Sequence, residues 1–270
     1  MVFLPKALAL NYNYSCGSLQ FYFVKILLLY VECIQEYFTL NHIKEVDENI
    51  KGPHYYIPHH AVIKITSSST KCRFLFDASA STTTGVSLND TLMVGPAVQS
   101  DMISILLRAR SYAYLFTADI SKMYRQILVD NRDTPFQRTL WRQSPEEPIK
   151  SYKLTTVTFV FASSPYLATR CLKKLAEDEG DNLLAAKDIL LRAFYVDDVC
   201  TGSNSIENAI KIQEQLTQML ASGGFPLTKW CLNNELVLEG LSQESRGKNL
   251  CIIHWRRICH QNIRSFLVSQ

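Results

Sequence analysis

No run of this sequence is long and apolar enough to cross a bilayer as a helix. The most hydrophobic stretch, Leu19 to Val31, is interrupted by Lys25 and amounts to roughly 13 residues, against the ~20 that a span requires. It does not read as a secretory signal either. Asn11-Tyr12-Asn13-Tyr14 precedes it in place of basic residues, and Glu32 follows in place of a small-residue cleavage site. No membrane association is expected, with an uncleaved anchor as the alternative. Paired cysteines are lacking too. The eight cysteines (Cys16, Cys33, Cys72, Cys171, Cys200, Cys231, Cys251 and Cys259) are scattered, which argues against a disulfide framework and for reduced thiols in an intracellular, cytoplasmic setting. There is little excess of either charge: the net is +3. That value neither points to nucleic acid nor excludes it, because a basic groove needs no large net charge. No Ser/His/Asp or Cys/His arrangement stands out, so chemistry through a protein nucleophile is not indicated. What the chain does have, 47% hydrophobic and 20% charged residues over 270 positions, describes a folded protein with ample core, one large or two small domains.

The most informative stretch is Phe194-Tyr195-Val196-Asp197-Asp198-Val199. An apolar run from Leu190 leads into two adjacent carboxylates and then to Val199-Cys200-Thr201-Gly202, a pattern of strand, tight turn, strand with the acids at the tip. Adjacent carboxylates at the end of a buried strand repel each other and suit a hard divalent cation such as Mg²⁺, although an Asp-Asp pair alone is more often a solvated turn. A second apolar run, Leu115-Phe116-Thr117-Ala118, also ends in a carboxylate, Asp119. Two such strands side by side would offer three acidic ligands, enough for two cations bridging phosphate oxygens.

Elsewhere the periodicity predicts a helix over 31–43, a strand over 55–64, a polar turn at Ser67-Ser68-Ser69-Thr70 and a return strand over 71–76. A loop is expected over 77–90, a helix from Pro96 to Arg110, strands over 136–141 and 152–161, and a helix over 164–179. A further helix runs from a capping pattern at Asn204-Ser205-Ile206-Glu207 to Gly223-Gly224. His59-His60 lacks partners at ligand spacing, so a structural role outweighs a zinc site. Cys251 and His254 with Cys259-His260 only loosely resemble a zinc knuckle.

Beyond these patterns, Arg73-Phe74-Leu75-Phe76-Asp77-Ala78-Ser79-Ala80, Ser87-Leu88-Asn89-Asp90, Ala118-Asp119-Ile120-Ser121-Lys122-Met123-Tyr124-Arg125-Gln126, Tyr195-Val196-Asp197-Asp198, and Gly223-Gly224-Phe225 through Lys229-Trp230 resemble, in unbroken order, the reverse transcriptase domain of Pao/BEL-class LTR retrotransposon polyproteins. The resemblance spans about Val31 to Glu239. It implies an α+β fold, a polymerase right hand reduced to fingers and palm, over 31–240, with 1–30 and 241–270 as extensions foreign to the family. Thumb, RNase H, integrase and protease regions are not expected in this chain.

By the same resemblance the activity is RNA-directed DNA synthesis on a primed RNA or DNA template with deoxynucleoside triphosphates. Asp119, Asp197 and Asp198 would hold two Mg²⁺ ions, Mn²⁺ being an alternative, and the Ile120 carbonyl would complete a shell. Lys64 and Arg73 would grip the triphosphate, Tyr124 would exclude a ribose 2′-hydroxyl, Phe159 would lie beneath the nucleotide, and Lys229 would act as general acid towards pyrophosphate. One departure is Val160, where the family commonly carries a glycine that permits close backbone approach. The alternatives are an inactive remnant, a co-opted nucleic-acid-binding protein, and a metal-dependent phosphodiesterase using the same carboxylates.

Overall fold

Phe74 lies at the centre of an aromatic cluster formed by residues far apart in the chain. Tyr30 stacks on it at 5.0 Å and His59 at 4.5 Å, while Trp141 meets it edge-on at 6.1 Å. Such clusters bury much area per side chain and gain further from offset and edge-to-face geometry. The computed structural model describes residues 17–47, 52–63, 72–144, 146–234, 242, 245 and 246. These fall into two compact units, one of residues up to Val94 plus Ile127–Ser164, the other of Gly95–Gln126 plus residues from Pro165 onward.

In the first unit, helix α1 (Gly17–Thr39) is followed by strands β1 (Ile43–Glu45), β2 (His59–Ile63) and β3 (Cys72–Phe76) and the short helix α2 (Leu88–Thr91). Helix α3 (Met102–Arg110) and strand β4 (Tyr114–Ile120) come next in the chain but belong to the second unit; β5 (Arg138–Trp141) and β6 (Lys150–Leu154) return to the first. β2 and β3 form an antiparallel hairpin, and β1, β6 and β5 an antiparallel sheet in that order. Ile34, Tyr37, Phe74, Phe76, Trp141 and Leu154 fill the core.

Several expectations need correction here. The helix expected over 31–43 ends at Thr39 and begins at Gly17, and Ile43 instead starts β1, where it pairs with Leu154. Its apolar stripe is the expected one, since Ile34 and Tyr37 are buried. The loop over 77–90 closes into α2, because Ser87 accepts from the Asp90 amide while Asp90 accepts from the Ser87 amide, a capping box. The strand expected over 152–161 stops at Leu154. The polar turn at 67–70, the end of the 55–64 strand including Lys64, and Cys251, His254, Cys259 and His260 lie outside the described residues. His59 is a core histidine: Nε2–H donates to the Leu140 carbonyl at 2.9 Å, the Tyr30 hydroxyl bonds Nδ1, and burial lowers its pKa.

The second unit continues with α4 (Ser164–Glu179), α5 (Leu184–Arg192), β7 (Phe194–Tyr195), β8 (Asp198–Ser203), α6 (Ile206–Ser222) and β9 (Leu227–Leu232). Its strands form a four-stranded antiparallel sheet ordered β7-β8-β4-β9, packed against helices, with Ile105, Ala109, Leu115 and Cys200 in one core cluster. Helices α4 and α6 match the expected spans. Two expectations fail. Pro96 does not start α3; Asp101 does, by accepting from the Ser104 amide at 2.9 Å. Leu190 and Leu191, expected on a strand, end α5, which leaves only Phe194–Tyr195 for β7. Among the described residues no helix is long and apolar enough to cross a membrane.

Candidate active site

β4 is an interior strand of the second unit's sheet, flanked by β8 and β9, and its register brings the acids together. Asp119, near its end, pairs directly with Asp198, the first residue of β8. Side chains directly opposite on antiparallel strands stand close together, and like charges there oppose folding. Asp197 occupies the two-residue turn with Val196, and its carbonyl accepts from the Ile120 amide at 2.8 Å. The turn is thereby fixed to the end of β4.

The electrostatics register this crowding. Burial, then the charges of Asp197 and Asp119, push the Asp198 carboxyl up to about 7, against a lowering pull from Lys229. Asp197 is raised as well, first by burial and then by Asp119. Tyr124 follows β4 in a short 3₁₀ turn, Met123–Gln126, and its phenol is pushed up to about 12 by burial and by the Asp197 charge. The structure therefore assembles Asp119, Ile120, Tyr124, Asp197, Asp198 and Lys229 in one neighbourhood. Arg73 and Phe159 belong to the first unit, where Arg73 is an exposed position of β3 and Phe159 an exposed turn residue.

Lys229 reaches this neighbourhood through a backbone irregularity. Between the pairs Thr117↔Cys231 and Asp119↔Thr228 the β4–β9 register shifts, leaving an extra residue on β9. Lys229 sits in that bulge with φ 57°, and its Nζ lies 2.5 Å from Asp119 Oδ2. Bulges commonly re-aim a side chain beside an active site. Of the non-glycine residues with positive φ among those described, Lys122, Val196 and Lys229 all flank the carboxylates, and Asn41 is elsewhere. Backbone strain concentrated in this way is characteristic of functional sites.

A hard divalent cation fits the donor chemistry, since three carboxylates are crowded and two have pKa values raised by burial and by the neighbouring carboxylate charge. The arrangement is not a closed cage. Among the described residues no three His, Cys, Asp or Glu side chains already converge on one point, and Lys229 stands on Asp119 as counter-ion.

Asn89, read in the sequence only as part of the Ser87–Asp90 motif and given no role, and Gln99, not singled out at all, both make structural contacts. Asn89 ties three segments of the first unit together: its Nδ2 donates to Ser79 Oγ at 2.8 Å and to the Val160 carbonyl at 3.1 Å, and its Oδ1 accepts from the Ala162 amide at 2.9 Å. Gln99 Oε1 accepts from the Val196 amide at 2.8 Å.

Comparison with known proteins finds no matching family model and no matching curated protein. Solved structures do match. A foamy viral protease-reverse transcriptase in complex with double-stranded DNA aligns with 18% identity and TM-score 0.55 over 73% of this chain and 30% of its own. The native protease-reverse transcriptase of prototype foamy virus aligns with 18% identity and TM-score 0.54 over 73% of this chain and 23% of its own. The chain thus spans less than a third of these neighbours. Its fold, mixed helix and antiparallel sheet, is of the reverse transcriptase type.

Proposed function

We propose that the chain is the fingers-and-palm part of an RNA-directed DNA polymerase from a Pao/BEL-type LTR retrotransposon. The observation that carries this reading is the direct pairing of Asp119 with Asp198 on adjacent strands, with Asp197 in the intervening turn. The foamy virus neighbours add support through their fold, and one of them binds double-stranded DNA.

Asp119, Asp197 and Asp198 would hold the cations, with the Ile120 carbonyl as a further ligand. Two Mg²⁺ or Mn²⁺ ions held there would supply a lowered pKa at the primer 3′-hydroxyl and charge stabilisation at the leaving group. The hydroxyl oxygen bonds to the α-phosphorus of the deoxynucleotide as the bond to the β-phosphate bridge breaks, and its proton passes to solvent. Lys229, which stands against Asp119, would give a proton to pyrophosphate. Tyr124, half-buried beside Asp197, supplies a wall against a 2′-hydroxyl. Lys64 and Arg73 bind the triphosphate, where arginine clasps two oxygens and lysine supplies a point charge, and Phe159 lies beneath the nucleotide. The partners are a primed RNA or DNA template and deoxynucleoside triphosphates.

The test is extension of a DNA primer on an RNA template in Mg²⁺ at low salt. Extension by the wild type and none by Asp198→Asn supports the proposal. A folded protein that binds primer-template but adds nothing defeats it. That outcome would favour the second reading, an inactive remnant or co-opted nucleic-acid-binding protein, for which the specific observation is the lack of a preassembled three-ligand cluster among the described residues.

A further inference from the structure

The hairpin carrying Asp197 and Asp198 turns on a residue poorly suited to its conformation. Val196 has φ 54°, and a two-residue hairpin turn with positive φ normally takes Gly, Asn or Asp. A β-branched residue there is strained and persists only where its surroundings over-determine it.

The surroundings do so from both sides. The Asp197 carbonyl accepts from the Ile120 amide, and the Val196 amide donates to Gln99 Oε1, each at 2.8 Å. Gln99 is itself held in place. It lies in an irregular segment that begins at Gly95, where φ is 80° and a Cβ would stand 2.4 Å from the Tyr166 ring of α4, so only glycine fits. The segment ends at Asp101, which caps α3. Beside the bond is a partly open cavity of about 20 Å³, lined by Val98, Leu172, Leu190 and Phe194 and also by Thr169 and Lys173.

We infer that Gln99 is a positioning residue for the acidic pair: its side-chain oxygen clamps the strained Val196–Asp197 turn and so fixes where the Asp197 and Asp198 carboxylates meet a divalent cation. The cation-binding part rests on the proposed polymerase reading; the clamp itself does not. Gln99 acts through Val196 and is assigned no contact with nucleotide or cation.

The experiment uses the full chain and Mn²⁺ alone, titrated by the electron paramagnetic resonance of the free ion, together with hydrogen exchange of the Val196 amide in metal-free protein. Gln99→Met keeps the side-chain length and removes the acceptor. Its Val196 amide should exchange freely, its melting temperature should barely move, and its Mn²⁺ affinity should fall by about tenfold, the lower end for supporting residues around a metal site. Val196→Gly, which removes the strain, should restore affinity when combined with Gln99→Met. Unchanged exchange in Gln99→Met, or exchange freed with Mn²⁺ affinity intact, overturns the inference. A wild type that binds Mn²⁺ no better than Asp198→Asn defeats the polymerase reading instead, while exchange still decides the clamp. If Gln99→Met fails to fold, Gln99→Glu, which retains an acceptor at the same reach, must fold with the amide protected, and its failure to do so overturns the clamp.

Discussion

Lys229 and Asp119 meet at 2.5 Å because β9 carries one residue more than β4 at that point, and Lys229 takes up the excess in a left-handed conformation. In a regular strand the lysine would follow the alternation of its neighbours. The pair is a counter-ion arrangement on a cluster of like charges, and it opposes the rise in pKa of Asp197 and Asp198. We expect Lys229→Met to slow single-nucleotide incorporation by about 10²-fold, as for loss of a general acid. The Mg²⁺ concentration for half-maximal rate should not rise, because the competing ammonium is gone. Pre-steady-state incorporation across a Mg²⁺ series checks both.

Asp198 links stability to pH. Its carboxyl titrates near 7 in the folded chain and at about 4 when unfolded, so folding takes up a proton between these values. Its contribution to stability is therefore full below about pH 4 and is lost as pH rises through about 7. Thermal melts of metal-free protein should show wild type losing stability over that window relative to Asp198→Asn. Saturating Mg²⁺ should raise the wild-type melting temperature more at about pH 8 than at about pH 5, since the cation binds the ionised form.

Tyr124 stands where burial and the Asp197 charge keep its phenol protonated. As the wall against a 2′-hydroxyl its ring matters more than its hydroxyl. Tyr124→Phe should leave the preference for deoxynucleotides intact, and Tyr124→Ala should relax it by about tenfold or more. Competition between matched ribo- and deoxynucleotides on one template measures the ratio.

Val160 is packed partly buried against the core of the first unit, and its carbonyl is held by Asn89. It is not among the positive-φ residues, so its conformation does not demand glycine. Val160→Gly should cost about 1–2 kcal/mol in urea unfolding, from lost packing and added unfolded-state freedom. It should also raise incorporation if glycine allows closer backbone approach to the nucleotide, which the same incorporation assay reads.

The acidic hairpin was legible because an apolar run ending in carboxylate, at Asp119 and again at Asp197-Asp198, sets charge at the end of a buried strand, where it needs a counter-charge. The helices at 164–179 and 206–222 were legible from periodicity, with Ser164-Pro165 and Gly223-Gly224 as punctuation. Leu190 and Leu191 misled because a short apolar run does not distinguish a helix end from a strand. Asp101 outcompeted Pro96 as the start of α3 because its side chain satisfies an otherwise free amide. Neither the β9 bulge nor the Gln99 clamp leaves a local trace. Positive φ at a lysine or valine has no sequence signature, and the Gln99–Val196 bond joins positions far apart in the chain.

The most direct measurement is single-nucleotide addition to a DNA primer opposite each of the four bases of an RNA template in Mg²⁺, with wild type and Asp198→Asn side by side. The proposal predicts that the wild type adds the complementary deoxynucleotide in each case and that the mutant adds none. Primer shortening in the absence of nucleotides, or no addition by folded protein that binds the primer-template, would contradict it.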